Sequence, residues 1–411
     1  MMNNTKIIEQ MQPMLFGEEL CDILSDIPKY NENICNKSPA ERLIALSTLY
    51  DVYLPSEMSM EIYSKLYLAL LRSLQKKNSK ESIQQSYQNY NMINNKESRG
   101  IIGGSDSFSI IGVSGIGKSS AINRAISVIT NNKIIDIEYP PIRIIPCLVV
   151  QCPWDASVKS MLLEILRKAD ELLETNYYDY AFNTKKMTTD NLIGIVSQVS
   201  LQHIGLLIID EIQNCVGNKN GKRLVAMLTQ LINSSGISIG LVGTPETLPL
   251  LESALQLARR SLGLQYNALD YNEYFDEFCK LLWKYKYTKN DIPISSQIID
   301  WLYEHSGGIT SVVVSLIHDA QEIAILSNYE KLDLTTLNQA YDQRAKLLHE
   351  YINPAINNKI KVSKIKNNIS GKPVEVKNNY TIYELVQKSK NTNTDAITIF
   401  KEYFSVEEVK L

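Results

Sequence analysis

Long apolar runs are scarce in this chain: the longest are strand-length and broken by polar residues, so no segment is expected to span a bilayer. The start Met1-Met2-Asn3-Asn4 lacks the apolar region of a signal peptide, and a cytoplasmic location is expected. An excess of one charge is lacking too. Lys and Arg number 42 against 45 Asp and Glu, a net charge of −3, so any contact with nucleic acid must come from a local patch. The six cysteines (Cys21, Cys35, Cys147, Cys152, Cys215, Cys279) form no C-x-x-C pair and the four histidines stand alone, which argues for reduced thiols and against a zinc site. Internal repeats are absent, and glycine is sparse, at 18 in 411 residues. What is present, 44% hydrophobic residues over a length suited to roughly two to three domains, suffices for a substantial core.

Against that scarcity of glycine, one segment stands out. Gly112-Val113-Ser114-Gly115-Ile116-Gly117-Lys118-Ser119 fits G-x-x-x-x-G-K-[ST], after the strand-like run from Phe108 to Ile111 and before the helix-like run from Ala121 to Ile129. Glycines let successive backbone N–H groups curl around a β-phosphate, and the following helix directs its positive end at the same anion. Residues 112–119, with the adjacent Ser120, are therefore expected to bind ATP. Lys118 would reach the β- and γ-phosphates, and the Ser119 hydroxyl would ligate Mg²⁺.

Such a loop predicts a second element. Leu206-Leu207-Ile208-Ile209 reads as a buried parallel strand and ends in Asp210-Glu211. Carboxylates at the carboxyl end of such a strand face the ligand crevice. Asp210 would hold Mg²⁺ through water, and Glu211 would orient or deprotonate the attacking water. The bland alternative, acids decorating a helix N-terminus, loses weight once the loop is present.

Four regions are expected. Residues 1–100 read as helical: Ser38-Pro39-Ala40-Glu41 is a capping box opening a run through Leu43, Ile44, Leu46 and Leu49, and Met58, Ile62, Leu66, Ala69 and Leu70 mark a second helix. The polar run from Gln75 to Glu97 reads as an exposed connection. Residues 101–265 alternate strands and helices, with strands over Ile144 to Val150, Leu206 to Ile209 and Ile237 to Val242, and predict an α/β doubly wound parallel sheet. Residues 266–352 are helical, with Phe275, Phe278, Leu281 and Leu282 at helix spacing, and suit a lid over nucleotide. Residues 353–411 turn polar and lysine-rich before an apolar, aromatic end at Ile397, Ile399, Phe400, Tyr403 and Phe404, and read as a mobile tail whose end docks on a partner or on the chain's own core.

Sheet plus helical lid suggests an AAA+ P-loop NTPase, and particular wording goes further. Gln151-Cys152-Pro153-Trp154-Asp155-Ala156-Ser157-Val158-Lys159, Ile208-Ile209-Asp210-Glu211-Ile212-Gln213-Asn214 and Gly243-Thr244-Pro245-Glu246 resemble the TnsC family, AAA+ regulators of bacterial DNA transposition related to TniB. Leu282-Trp283-Lys284-Tyr285, Ser306-Gly307-Gly308-Ile309 and Gln321-Glu322-Ile323-Ala324-Ile325 look like the same family, and the resemblance runs from about residue 38 to 352.

That resemblance implies ATP and Mg²⁺ as cofactors and assembly as rings or helical homo-oligomers on double-stranded DNA without regard to sequence. It also implies a TnsD- or TniQ-like target selector, a TnsA- or TnsB-like transposase, and no membrane. Thr244 resembles the polar sensor that positions the attacking water, and Arg259 and Arg260 resemble an arginine finger that reaches a neighbour's γ-phosphate. Lys159, Lys185, Lys186 and Thr188 fall where the family's pore-facing hairpins would contact DNA phosphates. One departure stands out: Gly307-Gly308-Ile309-Thr310-Ser311-Val312-Val313 lacks the arginine that many such lids carry, which favours a scaffold with slow, regulatory hydrolysis. The alternative is a helicase loader or DNA remodeller with ongoing turnover.

Overall fold

Uninterrupted runs of Ile, Leu and Val form strands whose two faces are both covered. In β4 (Ile204–Asp210) the side chains alternate between two cores: Leu206 and Ile208 join one, Leu207 and Ile209 the other. Each such burial stabilises the sheet by about 1.5–3 kcal/mol relative to exposure. The computed structural model describes residues 5–77, 79–103, 107–138, 141–253 and 263–345, which fall within a compact unit, Met1–Ile356. The stretch read as a tail, residues 353–411, lies outside the described residues.

Six strands are present: β1 (Phe108–Gly112), β2 (Ile135–Ile137), β3 (Ile142–Gln151), β4, β5 (Ser238–Gly243) and β6 (Leu264–Tyr266). Their order across the sheet is β2-β3-β4-β5-β1-β6. Pairings are parallel except at the edge, where β2 runs antiparallel to β3. The expected strands are all observed. The short edge strands β2 and β6, three residues each, carry too little pattern to read from sequence. Because β1 leads by way of the helix Lys118–Thr130 to the far side of the sheet, the carboxyl ends of β1, β5 and β4 share one crevice.

Helices Val158–Leu173, Thr189–His203 and Gly221–Ser235 cover one face of the sheet. Helices Glu57–Lys76 and Lys118–Thr130 cover the other through Ile62, Leu66, Leu70, Ala121, Ile122 and Ala125. A third core belongs to the lid helices Glu273–Trp283, Ser296–Ser306, Thr310–Leu326 and Leu334–Ala340. The first hundred residues reach all three cores: Leu20, Leu24 and Ile62 join the sheet face covered by the helix Glu57–Lys76, Leu46, Leu49 and Val52 the lid, and Met92 and Ile93 pack against the opposite sheet face. Arg42 anchors the second group: fully buried, its guanidinium donates to both oxygens of Glu330 at 2.6 and 2.7 Å. Loss of Glu330 would strand the buried Arg42 charge, at about 3–5 kcal/mol.

The capping box at Ser38 and Glu41 forms as expected, whereas Ile44 lies on the outer face, 75% exposed. A larger correction concerns Gln75 to Glu97. Instead of an exposed connection, the run contains the helix Lys80–Ile93. Its inner face is polar: Ser82, Gln85 and Asn89 are buried, Asn89 donates to Ser234 O at 3.1 Å, and Gln85 accepts from Ile101 N. A helix that docks through amides shows no apolar stripe. Among the described residues no single helix is long and apolar enough to cross a membrane.

Candidate nucleotide-binding site

The segment after β1 turns sharply into its helix because two glycines adopt backbone angles that side chains disfavour, with φ of +82° at Gly115 and +92° at Gly117. The helix Lys118–Thr130 begins directly behind them and aims its free N–H groups into the crevice. Lys118 Nζ donates to Gly112 O at 2.8 Å and Val113 O at 2.9 Å, which holds the ammonium over the loop. Burial pushes its pKa down, and the nearby carboxylates of Asp210 and Glu211 oppose that shift.

Strand β4 delivers the carboxylates to the same place. Asp210 Oδ2 accepts from Ser119 Oγ at 2.9 Å, so the two groups expected to share a cation already touch. Asp210 Oδ1 accepts from the N–H of Glu211 at 2.8 Å. Glu211 stands in a left-handed conformation, φ +59°, costly for a residue with a Cβ. Its carboxylate is held by the Gln213 amide, which donates to Glu211 Oε2. Thr244 directly follows the neighbouring strand β5, and its hydroxyl donates to Glu246 at 3.0 Å. A cleft of about 1430 Å³ opens onto Ser114 to Ser120, Asp210, Glu211, Gln213 and Thr244. Gly112 and Val113 contribute carbonyls to Lys118 from behind the loop.

Two sides of this cleft were not read from the sequence. One is N-terminal: Arg124 donates to Asp26 at 2.6 Å and lies 4.6 Å from the centroid of the Tyr53 ring, and all three line the cleft. The other is the start of the lid helix, where Thr310 Oγ1 and Ser311 N donate to Gly115 O. Neither carries a motif; both depend on contacts between segments remote in sequence. Arg259 and Arg260 lie outside the described residues.

The residues expected at DNA lie outside this cleft. Lys159 is exposed in the first turn of the helix Val158–Leu173, and Lys185 and Lys186 are exposed between the helices Tyr177–Asn183 and Thr189–His203. Thr188 is the N-cap of the latter and accepts from Asn191 N at 3.2 Å, a structural duty that leaves its hydroxyl little freedom. Sequence reasoning missed a neighbouring group. Asn214, Asn218 and Asn220 donate to the carbonyls of Cys152, Trp154 and Asp155 at 2.9, 3.5 and 3.2 Å, lacing the segment after β4 to the segment after β3. Exposed Lys219, Lys222 and Arg223 are thereby brought beside Trp154, itself 85% exposed. The run Lys219-Asn220-Gly221-Lys222-Arg223 was the available signal.

Among solved structures, the chain is similar to the ORC1 protein of Aeropyrum pernix in complex with DNA, with 11% identity, 80% of this chain and 78% of that chain covered and a TM-score of 0.43. The Thermotoga maritima RuvB Holliday junction branch migration motor gives 13% identity, 84% coverage of each chain and a TM-score of 0.37. No curated protein sequence matches the chain. Residues 102–265 match the family model described as bacterial TniB protein, a span that contains the phosphate loop, Asp210-Glu211 and Thr244. The strand order, the phosphate loop and the hydrogen bond between Ser119 and Asp210 within this span are those of a P-loop ATPase domain, and the span is similar to bacterial TniB protein.

Proposed function

We propose that the protein is an ATP-dependent regulator that assembles on double-stranded DNA and links a TnsD- or TniQ-like target selector to a TnsA- or TnsB-like transposase. The hydrogen bond between Ser119 and Asp210, beside Lys118 and Glu211, carries the nucleotide part of this reading. Ser119 and Asp210 would hold Mg²⁺, which offsets the charge on the β- and γ-phosphate oxygens. Lys118 binds those phosphates, Thr244 orients the attacking water, and Glu211, steadied by Gln213, takes its proton.

Assembly is supported by what one chain supplies. Among the described residues that line the cleft, Lys118 and Arg124 are the cations, and Arg124 is committed to Asp26 and Tyr53. Charge developing on the transferred phosphoryl group therefore calls for a further cation, for which a neighbour's Arg259 or Arg260 is the candidate. The contact with DNA is assigned to the exposed cations Lys159, Lys185, Lys186, Lys219, Lys222 and Arg223. On this reading these side chains contact the phosphate backbone, so binding ignores sequence and weakens steeply with salt.

Duplex binding measured with a non-hydrolysable ATP analogue, with ADP and without nucleotide tests the reading. Tight binding with the analogue alone, abolished by Lys118→Ala, is expected. Equal binding in all conditions would refute ATP-gated assembly, and rapid steady-state hydrolysis with no lasting complex would favour a loader or remodeller.

A further inference from the structure

The outward carbonyls of the phosphate loop are shared between two sets of donors. Lys118 takes Gly112 O and Val113 O. The lid takes Gly115 O, to which Thr310 Oγ1 donates at 3.0 Å and Ser311 N at 3.1 Å. Contact there is close as well as polar, since a Cβ on Gly115 would lie 2.3 Å from Ser311 Oγ and 3.0 Å from Ile309 Cγ2. The lid side is fixed in turn: Leu269 N donates to Gly308 O at 3.0 Å, and a Cβ on Gly308 would meet Leu269 O at 2.1 Å. Hence the helix Thr310–Leu326 starts against the loop, held by the turn before it.

Planarity of the peptide between Gly115 and Ile116 gives this contact a consequence. In a trans peptide the C=O and N–H point in opposite directions, so with the carbonyl on the lid the Ile116 N–H points away from it, as a phosphate loop requires for its anion. Fixing the carbonyl fixes that donor. The lid residues at this contact carry no charge, Thr310, Ser311, Val312 and Val313 all being neutral, and among the described residues that line the cleft the cations are Lys118 and Arg124.

We propose that Thr310 and Ser311 are positioning residues that latch the lid to Gly115 and so stabilise the loop in its anion-binding shape equally for ATP and ADP. The proposal rests on the nucleotide-binding reading and deepens it. A neutral latch on the loop backbone responds to an occupied β-phosphate site and is indifferent to the γ-phosphate. Hydrolysis alone then leaves the lid in place, and discrimination between ATP and ADP falls to groups outside the lid.

The test uses the full chain with Thr310→Val, which keeps the shape and removes the donor, and Thr310→Ser, which restores it. Calorimetry with ADP and with a non-hydrolysable ATP analogue should show Thr310→Val weakening both by the same factor, about 3- to 10-fold for one hydrogen bond, with Thr310→Ser near wild type. Backbone hydrogen exchange over residues 309–326 of the wild type should slow equally with either nucleotide. Unchanged affinities in Thr310→Val would overturn the latch, as would a loss confined to the ATP analogue. Should Thr310→Val fail to fold, unequal protection of 309–326 by the two nucleotides in the wild type still overturns it. A wild-type protein that binds neither nucleotide refutes the ATPase reading itself, and the latch with it.

Discussion

At the carboxyl end of β1, every group suited to phosphate is fixed in place: Lys118 by two loop carbonyls, Ser119 by Asp210, Gly115 by the lid. At the carboxyl ends of β3 and β4 the groups suited to phosphate are exposed lysines and an arginine, and what is fixed is the backbone beneath them, laced by three asparagines. On the proposed reading, the first arrangement recognises one small anion in one geometry. The second would meet a repeating backbone at any register. The contrast teaches that preorganisation follows the ligand: chemistry on a bond demands held atoms, whereas binding to DNA phosphates demands held charge.

The largest effect is expected at the fixed site. Glu211→Gln should lower ATP hydrolysis by at least about 100-fold while nucleotide affinity changes little, because the group lost takes a proton and binds no phosphate. Complexes on duplex DNA should then outlast those of the wild type. Gln213→Ala frees the Glu211 carboxylate without removing it and should cost about 10-fold in turnover. Phosphate-release assays check both, and a Glu211→Gln protein that hydrolyses ATP normally would remove Glu211 from the mechanism.

A smaller, graded effect is expected at the exposed cations. Paired reversals, Lys219→Glu with Lys222→Glu or Lys185→Glu with Lys186→Glu, should each weaken duplex binding while ATP affinity holds. For each lysine that contacts a phosphate, the slope of log affinity against log salt should flatten by about 0.9. Salt titrations of both pairs sharpen the comparison, since a pair that leaves the slope unchanged lies off the DNA path. Trp154→Ala, which removes an exposed aromatic beside those cations, separates stacking from charge: it should leave the slope intact.

Legibility in the sequence follows the same division. The loop from Gly112 to Ser119 and the strand ending in Asp210-Glu211 were readable because their chemistry needs particular residues at particular spacing, and the buried strands because both faces are apolar. The helix Lys80–Ile93 was misread because it packs through Gln85 and Asn89, which look like a solvated linker until Ser234 and Ile101 are found opposite them. The contacts of Arg124 with Asp26 and Tyr53, and of Thr310 with Gly115, join residues up to 195 positions apart, and no local pattern encodes them. Lys219, Lys222 and Arg223 formed a visible basic run, but its place beside Trp154 depends on asparagine contacts that only the fold reveals.

An effect on stability alone lies away from both phosphate sites, at Lys77. This amine is buried, donates to Ser200 O and Leu201 O at 3.0 and 2.9 Å, and closes the last turn of the helix Thr189–His203. Burial lowers its pKa from 10.5 to about 7. Since the folded value lies below the unfolded one, the unfolded chain holds the extra proton between them, and stability contributed at this position rises as pH increases from about 7 towards 10.5 and is lowest below 7. Lys77→Met keeps the volume, removes the titration and takes this donor from Leu201 O, while Ser200 O keeps the Ile204 N–H. Relative to this variant, the wild type should gain on the order of 2 kcal/mol between pH 7 and 9, from about 1.36 kcal/mol per pKa unit. Thermal unfolding of both proteins across that range isolates the effect, because every other titrating group is common to the two. Parallel curves would mean that Lys77 keeps its proton in the fold, held by the helix's terminal carbonyls strongly enough to outweigh burial.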